Sequence, residues 1–386
     1  MTIWTVARDA LLLLALAPYV YYLLSIIAAS KFFSRKVAAP VPAAFTPGVS
    51  ILKPIRGLDR ETYQNYASFC AQEYLEFEIL FCVSDEQDAA VAVIHQLIAD
   101  FPQRSIRLLV GCEPIGVSDK VNKLCRMAGE ARYDVLLVSD SDVRAEQGFL
   151  RTVVAPLADP KVGGVTCLYR GITDGSFAAD IEAMGSSADF APGVLSAWML
   201  GGRQLDFMLG AVMVTTKDRL AAIGGFESIA DYFCDDYELG NRLAASGTPV
   251  ILSTAPVSIV YPGTTLAEAF RHQVRWNLSI RYSRPLSHFG LIFSQGIFWT
   301  ILGICLAPAN WMAYCYVIAY GLLRTDSALS VGARGMGDQL IRRKGWMLPI
   351  RDAFAFLVWL ASFFPQRIRW RDKTFLVRDK KLIAVP

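Results

Sequence analysis

The sequence predicts an α/β protein, an open and mostly parallel sheet with helices on both faces, carried by membrane helices at both ends. Three observations predict it. Between about residues 40 and 285, apolar β-branched runs alternate with amphipathic ones, as in successive βαβ units. Each end of the chain holds an uncharged stretch long enough to enter a bilayer. The 386 residues are 54% hydrophobic and 19% charged, with a mean hydropathy of +0.36, which is too apolar for an ordinary soluble domain.

The first uncharged run, ALLLLALAPYVYYLLSIIAA at 10–29, can cross a bilayer as a helix. No small-residue cleavage site accompanies it, so it reads as an anchor and not as a removed signal peptide. Lys31, Arg35 and Lys36 follow at once, and the positive-inside rule then puts the next domain in the cytoplasm. The chain divides into an anchor (1–36), a sheet domain (37–285) and a C-terminal membrane part (286–386). Pro40, Pro42 and Pro47 form a stiff linker between the first two.

Within the sheet domain, GVSILKPI (48–55), EFEILFCVSD (76–85), IRLLVG (106–111) and DVLLVSDSD (134–142) read as strands. Residues 88–100 and KVNKLCRMAGEA (120–131) carry helical periodicity. FAPGVLSAWMLGG (190–202) is apolar but broken by Gly and Pro, which suits an interfacial segment and not a span. GAVMVTT (210–216) is a further strand, opening on Gly210, where the close approach of a ligand would demand a small residue.

Residues 289–323 are uncharged and too long for one span, with Pro308 and Asn310 near the middle, so a helical hairpin fits. With the anchor this makes three spans. Arg324 and the cluster Arg342, Arg343 and Lys344 then fall on the cytoplasmic side, and Arg281 and Arg284 face lipid headgroups. Residues 353–364 are apolar but short, re-entrant or interfacial, and the tail after them is basic at Arg367, Arg369, Arg371 and Lys373.

A net charge of +3 gives no footprint for nucleic acid. Eight Cys without a CxxC pair, and three His, argue against a structural zinc site or a disulfide framework and for thiols in a reducing compartment.

The predicted strands end in polar residues: Lys53 and Asp59, then Ser84 and Asp85, then Ser139 to Asp142. In open α/β sheets ligands bind beyond the carboxyl ends of the strands. Asp140 and Asp142 repel one another, and burying either is costly unless it is paired or bound to a cation. One reading is a solvated strand end with a helix N-cap. The other is a divalent cation: neither GxGxxG nor GxxxxGK[ST] is present, and Mg²⁺ or Mn²⁺ is commonly held by one or two carboxylates plus substrate phosphates.

KPIRGLD (53–59), CVSDEQD (82–88), DKVNKL (119–124), VSDSDV (138–143), GAVMVTTKDRLAAIGGF (210–226), CDDYELGNRLAASG (234–247) and HQVRW (272–276) occur in that order. Together they resemble the membrane glycosyltransferases of the ceramide glucosyltransferase type, within the inverting GT-A superfamily. RWNLSIRYSRP (275–285) resembles the bacterial hopanoid-biosynthesis branch. The resemblance covers nearly the whole chain. It implies a Rossmann-like GT-A domain facing the cytoplasm, in a bacterial inner membrane, with a UDP-sugar donor and a membrane lipid acceptor. The sugar is N-acetylglucosamine or glucose, and the acceptor a hopanoid polyol or a ceramide.

By the same resemblance, Asp85 holds uracil and ribose, with Lys53 and Pro54 on the neighbouring strand end. Asp140 and Asp142 form the metal and diphosphate motif, and the presence of both favours a metal-dependent reaction with Mg²⁺ or Mn²⁺. Lys120 meets the donor phosphates, beside Asn122. Asp236 is the catalytic base, with Asp235 adjacent and Asp231 a less favoured alternative. Arg275 pairs with phosphate, Trp276 floors the acceptor site, and His272, standing where the family usually has Gln or Arg, still donates to the donor phosphate but with pH sensitivity. A plainer role stays open for each: a turn for Asp85, an exposed first helical turn for Lys120 and Asn122, dipole complementarity for Asp235 and Asp236, an interfacial anchor for Arg275 and Trp276. Two other functions also stand as alternatives. A processive polysaccharide synthase shares the RW motif, although three spans make a poor polymer channel. A non-catalytic nucleotide-sensing membrane protein would leave the acidic motifs without a task.

Overall fold

The computed structural model describes residues 2–35, 45–263, 265–364, 368–370 and 373–385. The linker prolines Pro40 and Pro42, and Arg367 and Arg371 of the basic tail, lie outside the described residues. The chain forms two compact units, one of Lys36–Ile172, Leu200–Pro262 and Arg367–Pro386, the other of Met1–Arg35, Thr173–Met199 and Gly263–Gln366.

The first unit is built on strands β1 (Val49–Pro54), β2 (Phe77–Val83), β3 (Ser105–Val110), β4 (Val135–Ser139), β5 (Val143–Arg144), β6 (Gly164–Ile172), β7 (Val212–Thr216) and β8 (Val250–Val260). Their order across the sheet is β3-β2-β1-β4-β7-β6-β8-β5. β1 lies between β2 and β4 and is parallel to both, with Ile51 opposite Ile79 on one side and Leu137 on the other. β2 is also parallel to β3, and β6 to β8, while β7 runs antiparallel to β4 and β6. The largely apolar runs follow from this position: every residue of β2 and β4 is buried, Glu78 of β2 included, as in strands covered on both faces. The predicted α/β sheet is therefore present, and β1, β2, β3 and β4 fall inside their predicted segments, apart from one residue at the start of β3.

Because β1, β2 and β4 point the same way, their carboxyl ends share one edge. β4 ends at Ser139 and not at Asp142. The chain turns there, and the Asp142 carbonyl accepts the Val260 N–H at 3.0 Å, which fixes the start of β5 against β8. Two helices present their N-termini to this region. Asp119–Glu130 is capped by the Ser118 hydroxyl, which accepts the Val121 N–H, and buries Val121, Leu124 and Met127. Asp235–Ala245 places Asp235, Asp236 and Glu238 in its first turn, where negative charge complements the dipole, and buries Leu239 and Leu243. The unit ends in a small antiparallel sheet of β9 (Ile368–Trp370), β10 (Lys373–Arg378) and β11 (Lys381–Val385).

The second unit is helical. Ile3–Leu14 and Ala17–Phe33 follow one another in the anchor. Among the described residues, Ile3–Phe33 is the one helical run long and apolar enough to cross a membrane; Pro285–Ser294 with Gly296–Leu306, bent by 54°, is a second only if the bent pair counts as one span. The stretch read as a hairpin holds two helices, Gly296–Leu306 and Asn310–Ala328, joined through Pro308. They pack with the anchor, where the Tyr316 hydroxyl donates to the Leu12 carbonyl at 2.7 Å and Tyr19 meets Thr300 at 2.9 Å. Asn310–Ala328 is long enough to span but is not apolar enough. The short segment at 353–364 is largely the second half of the helix Leu348–Ala361. FAPGVLSAWMLGG lies mainly on the helix Ala191–Leu200, which packs Trp198 against Phe32.

Two arginines next to apolar stretches are paired inside the helical unit. Arg281 does not turn outward: it donates to the Ser362 carbonyl at 2.6 Å and lies over the Phe363 ring. Arg324 is paired more deeply. It is buried, with Nη2 2.6 Å from both Asp352 and Asp189. A buried guanidinium needs such partners, because leaving it unpaired costs far more than exposing it.

Candidate active site

The site is assembled on β4 and on the first turns of the two helices. The Lys120 ammonium stands 2.8 Å from Asp140 Oδ1 and 3.4 Å from Asp235 Oδ2. Burial opposes its charge, but these carboxylates outweigh burial and raise its pKa above the ordinary lysine value. The Asp235 Oδ2 is buried with no hydrogen-bond partner among the described residues, so Lys120 is what compensates it.

Asp236 is turned by its own helix start. Its Oδ1 accepts the Tyr237 N–H at 2.7 Å and lies 3.0 Å from the Cys234 thiol. That leaves Oδ2 facing Gly210. A Cβ at Gly210 would lie 3.0 Å from Asp236 Oδ2 and 3.8 Å from Asp140 Oδ2, so the two acids converge over the one residue there that has no side chain. Burial, and then the neighbouring Asp235, raise the Asp236 pKa.

Asp142 is deeper. Burial first, then the charges of Asp140 and Asp59, push its carboxyl up to about 7. Asp59 in turn accepts a hydrogen bond from the Ser141 hydroxyl. Tyr169 on β6 faces the same charges, and burial followed by Tyr261 and Asp236 holds its hydroxyl well above the ordinary value.

Lys53 lies near the carboxyl end of β1. It is fully buried, donates to the Asp140 carbonyl at 2.9 Å and to the Ser139 hydroxyl at 3.2 Å, and lies 4.0 Å from the centre of the Phe69 ring. Burial pushes its pKa down to about 7. It props the acidic turn from below, while Pro54 next to it ends β1. Asp85 closes its own turn, accepting the Gln87 N–H at 2.8 Å. Asp88 clamps the β1 loop by accepting the Gly57 N–H. Asn122 uses both ends of its amide on the Gly116 backbone, at 2.9 Å each. Asp231 accepts the Val117 N–H at 3.1 Å. The sequence marks Asp59 only as a polar strand end and does not mark Asp88 or Tyr169 as site residues, although Asp88 lies inside the motif CVSDEQD.

His272, Arg275 and Trp276 lie in the helical unit, on the helix Leu266–Ser283, which begins with a Thr265–Glu268 capping box. His272 Nδ1 is in contact with the buried Glu182 carboxylate, and its ring lies 4.8 Å from that of Trp276. Arg275 and Trp276 are half-buried.

Residues 10–383 match the family described as glycosyl transferase family 21. The chain belongs to that family. It is 30% identical over 273 residues to ceramide glucosyltransferase 1 of Caenorhabditis elegans, a match covering 69% of this chain and 58% of that protein. It is 26% identical to ceramide glucosyltransferase 3 of the same organism, over 95% of this chain and 82% of the other. Among solved structures it resembles a mannosyltransferase from Pyrobaculum calidifontis in complex with GDP-Man and Mn²⁺, at a TM-score of 0.53 and 16% identity, covering 92% of this chain and 99% of that one. This last likeness shows that the family 21 protein has the GT-A fold.

Proposed function

We propose that this family 21 protein is an inverting glycosyltransferase that moves a hexose, N-acetylglucosamine or glucose, from a UDP-sugar to the hydroxyl of a membrane lipid such as a hopanoid polyol or a ceramide. One observation carries the reading: the Oδ2 atoms of Asp236 and Asp140 converge over Gly210, with Lys120 bridging Asp140 and Asp235. A base and a cationic phosphate contact thus stand together. Asp236 takes the proton of the acceptor hydroxyl. The freed oxygen forms the new bond to the anomeric carbon from the face opposite the diphosphate, the old C–O bond breaks, and UDP leaves with its electron pair. The raised Asp236 pKa makes that carboxylate a better proton acceptor than a solvated one. Lys120 holds the donor phosphates. Arg275 pairs with phosphate and Trp276 floors the acceptor site, as the family resemblance implies.

The donor set suits a hard divalent cation. Among the described residues no group of three or more His, Cys, Asp or Glu is arranged for a metal, but Asp140 and Asp142 with two donor phosphates suffice for Mg²⁺ or Mn²⁺. Burial first, and then the charges of Asp140 and Asp59, push Asp142 up to about 7; a cation there would relieve the crowding of those charges. Bound there, the metal would stabilise the charge of the departing diphosphate. The relatives' names support a lipid acceptor, and the apolar anchor supports a membrane site, with the sheet unit in the cytoplasm at a bacterial inner membrane.

The test is UDP release by the purified full chain in lipid. UDP-glucose and UDP-N-acetylglucosamine are supplied separately, each with a ceramide or a hopanoid polyol, under Mg²⁺, Mn²⁺ or EDTA. Acceptor-stimulated release that EDTA and Asp236→Asn both abolish is expected. Full activity in Asp236→Asn would remove Asp236 as the base. No turnover with any pair, from protein shown to be folded, would sink the transferase reading.

A further inference from the structure

The loop that delivers the acidic pair is held from two sides. On one side it is tied to the turn before Lys120: the Ser118 N–H donates to the Ala230 carbonyl at 2.9 Å, and the Val117 N–H to the Asp231 carboxylate. On the other side it is tied to the C-terminal hairpin. The Leu382 N–H donates to the Asp231 carbonyl at 2.8 Å, the Phe233 N–H donates to the Lys380 carbonyl at 2.9 Å, and Tyr232 pairs antiparallel with Lys381. The hairpin thus adds an edge to the segment ending one residue before Cys234 and two before Asp235.

Side chains repeat the attachment. The Lys380 ammonium lies 3.6 Å from Glu238, one turn into the catalytic helix, and 5.3 Å from the Tyr237 ring centre. Tyr232 has Lys381 at 5.3 Å and Arg242 at 5.2 Å from its ring centre. The turn itself is conformationally costly. Asp379 and Lys380 both have positive φ, 51° and 65°, in a tight two-residue turn that favours Asn or Gly. Without glycine, such a conformation persists only where its surroundings impose it.

We propose that the hairpin tip, residues 379–382, positions the catalytic acidic pair, fixing the register of the segment 231–234 and so the direction of Asp236, without touching substrate. The catalytic part of this inference rests on the transferase reading above. Leu382 is the residue to change, because its N–H is spent on Asp231. Proline there deletes that donor, whereas Leu382→Met keeps it at nearly constant volume.

The experiment compares full-length protein, Leu382→Pro, Leu382→Met and a chain stopped at Arg378. Turnover is counted per UDP-binding site, so that unfolded chain does not enter, and backbone amide exchange is followed by mass spectrometry. In Leu382→Pro and the shortened chain, kcat per site is expected to fall by about a hundredfold, as for a misplaced catalytic group, with KM for the donor little changed. Leu382→Met should keep its activity. Exchange should quicken over 231–238 and stay slow in β1 and β4. Unchanged turnover and exchange in Leu382→Pro would overturn the proposal. So would faster exchange spread equally into β1 and β4, since the hairpin would then hold the whole unit and not this loop. If the unaltered chain shows no turnover, the transferase reading fails, and exchange alone decides whether the hairpin holds the loop.

Discussion

The Lys120 ammonium lies 2.8 Å from Asp140 Oδ1, so a cation already occupies one face of the carboxylate proposed to hold a metal. On the proposed function, Lys120 would then be both a competitor for Asp140 and a contact for the donor phosphates. Lys120→Met should separate the two. Without the ammonium, Mn²⁺ should bind the donor-free protein more tightly, because nothing screens Asp140 and Asp235. Turnover should nevertheless fall by about a hundredfold, the scale of losing one preorganised charge contact. Titration calorimetry with Mn²⁺ and the UDP-release assay read the two effects. Weaker Mn²⁺ binding in the variant would mean that Lys120 organises Asp140 and does not compete for it.

Asp236 should trade stability for activity. Its pKa is raised by burial and by Asp235, so the folded state holds this proton more tightly than the unfolded chain does. The associated stability is complete below the unfolded carboxylate pKa and is lost as pH rises through the raised folded value. Asp236→Asn keeps an oxygen for the Tyr237 N–H but carries no charge. Its Tm should exceed that of the unaltered chain at pH 8, and the gain should shrink toward pH 4. Turnover should fall by about 10²- to 10⁴-fold, the usual contribution of general base catalysis. Equal Tm values at both pH values would show that the charge carries no folding penalty.

Two glycines should behave differently. At Gly210 an added methyl meets the Asp236 carboxylate oxygen at 3.0 Å. A carboxylate can swing by a few tenths of an ångström, so Gly210→Ala should fold normally and lose activity by about tenfold or more, as a small misplacement of a reacting group does. At Gly240 the methyl would lie 2.2 Å from the Met208 backbone nitrogen, which cannot yield without moving the chain, so Gly240→Ala should lose stability first. Thermal melting beside UDP release distinguishes them. Normal activity in a folded Gly210→Ala would mean that the space over Gly210 is not where the reaction occurs.

The sheet was readable because its signals are local. The runs that became β1, β2 and β4 are mostly apolar, with Ser50 and Glu78 as polar residues inside them, and stop at polar residues, and nothing distant is needed to see that. The acidic turn was also visible, since Asp140 and Asp142 make little sense as a core strand end. Which polar residue faces a ligand was not visible. Lys53 sits one residue from a strand end and reads as a donor contact beside Asp85; β1 lies beside β4, and the Lys53 ammonium donates to the Asp140 carbonyl. Asn122 reads as an exposed helix start, but its partner is the turn at Gly116, before the helix begins. Arg281 and Arg324 read as flanks of membrane segments. Their partners Ser362, Asp189 and Asp352 are far away in the chain, and hydropathy does not register a pairing that only folding creates.

Arg324 gives the last prediction, one about stability. Its guanidinium also donates to the Ala188 carbonyl at 2.6 Å, and Asp352 takes a further hydrogen bond from Tyr320 at 2.7 Å. Asp189 has a second partner in Arg351, at 2.8 Å. Removing Arg324 therefore strands Asp352 more than Asp189. Arg324→Ala should cost about 3–5 kcal/mol, the usual penalty for breaking a buried pair on one side. Arg324→Leu combined with Asp352→Leu removes both charges and restores volume, so much of that loss should return, since an apolar replacement of a buried ion pair is often neutral. Thermal melting in detergent compares the two. A double variant no more stable than Arg324→Ala would show that the hydrogen bonds to Ala188 and Tyr320, and not the buried charge, hold this part of the helical unit together.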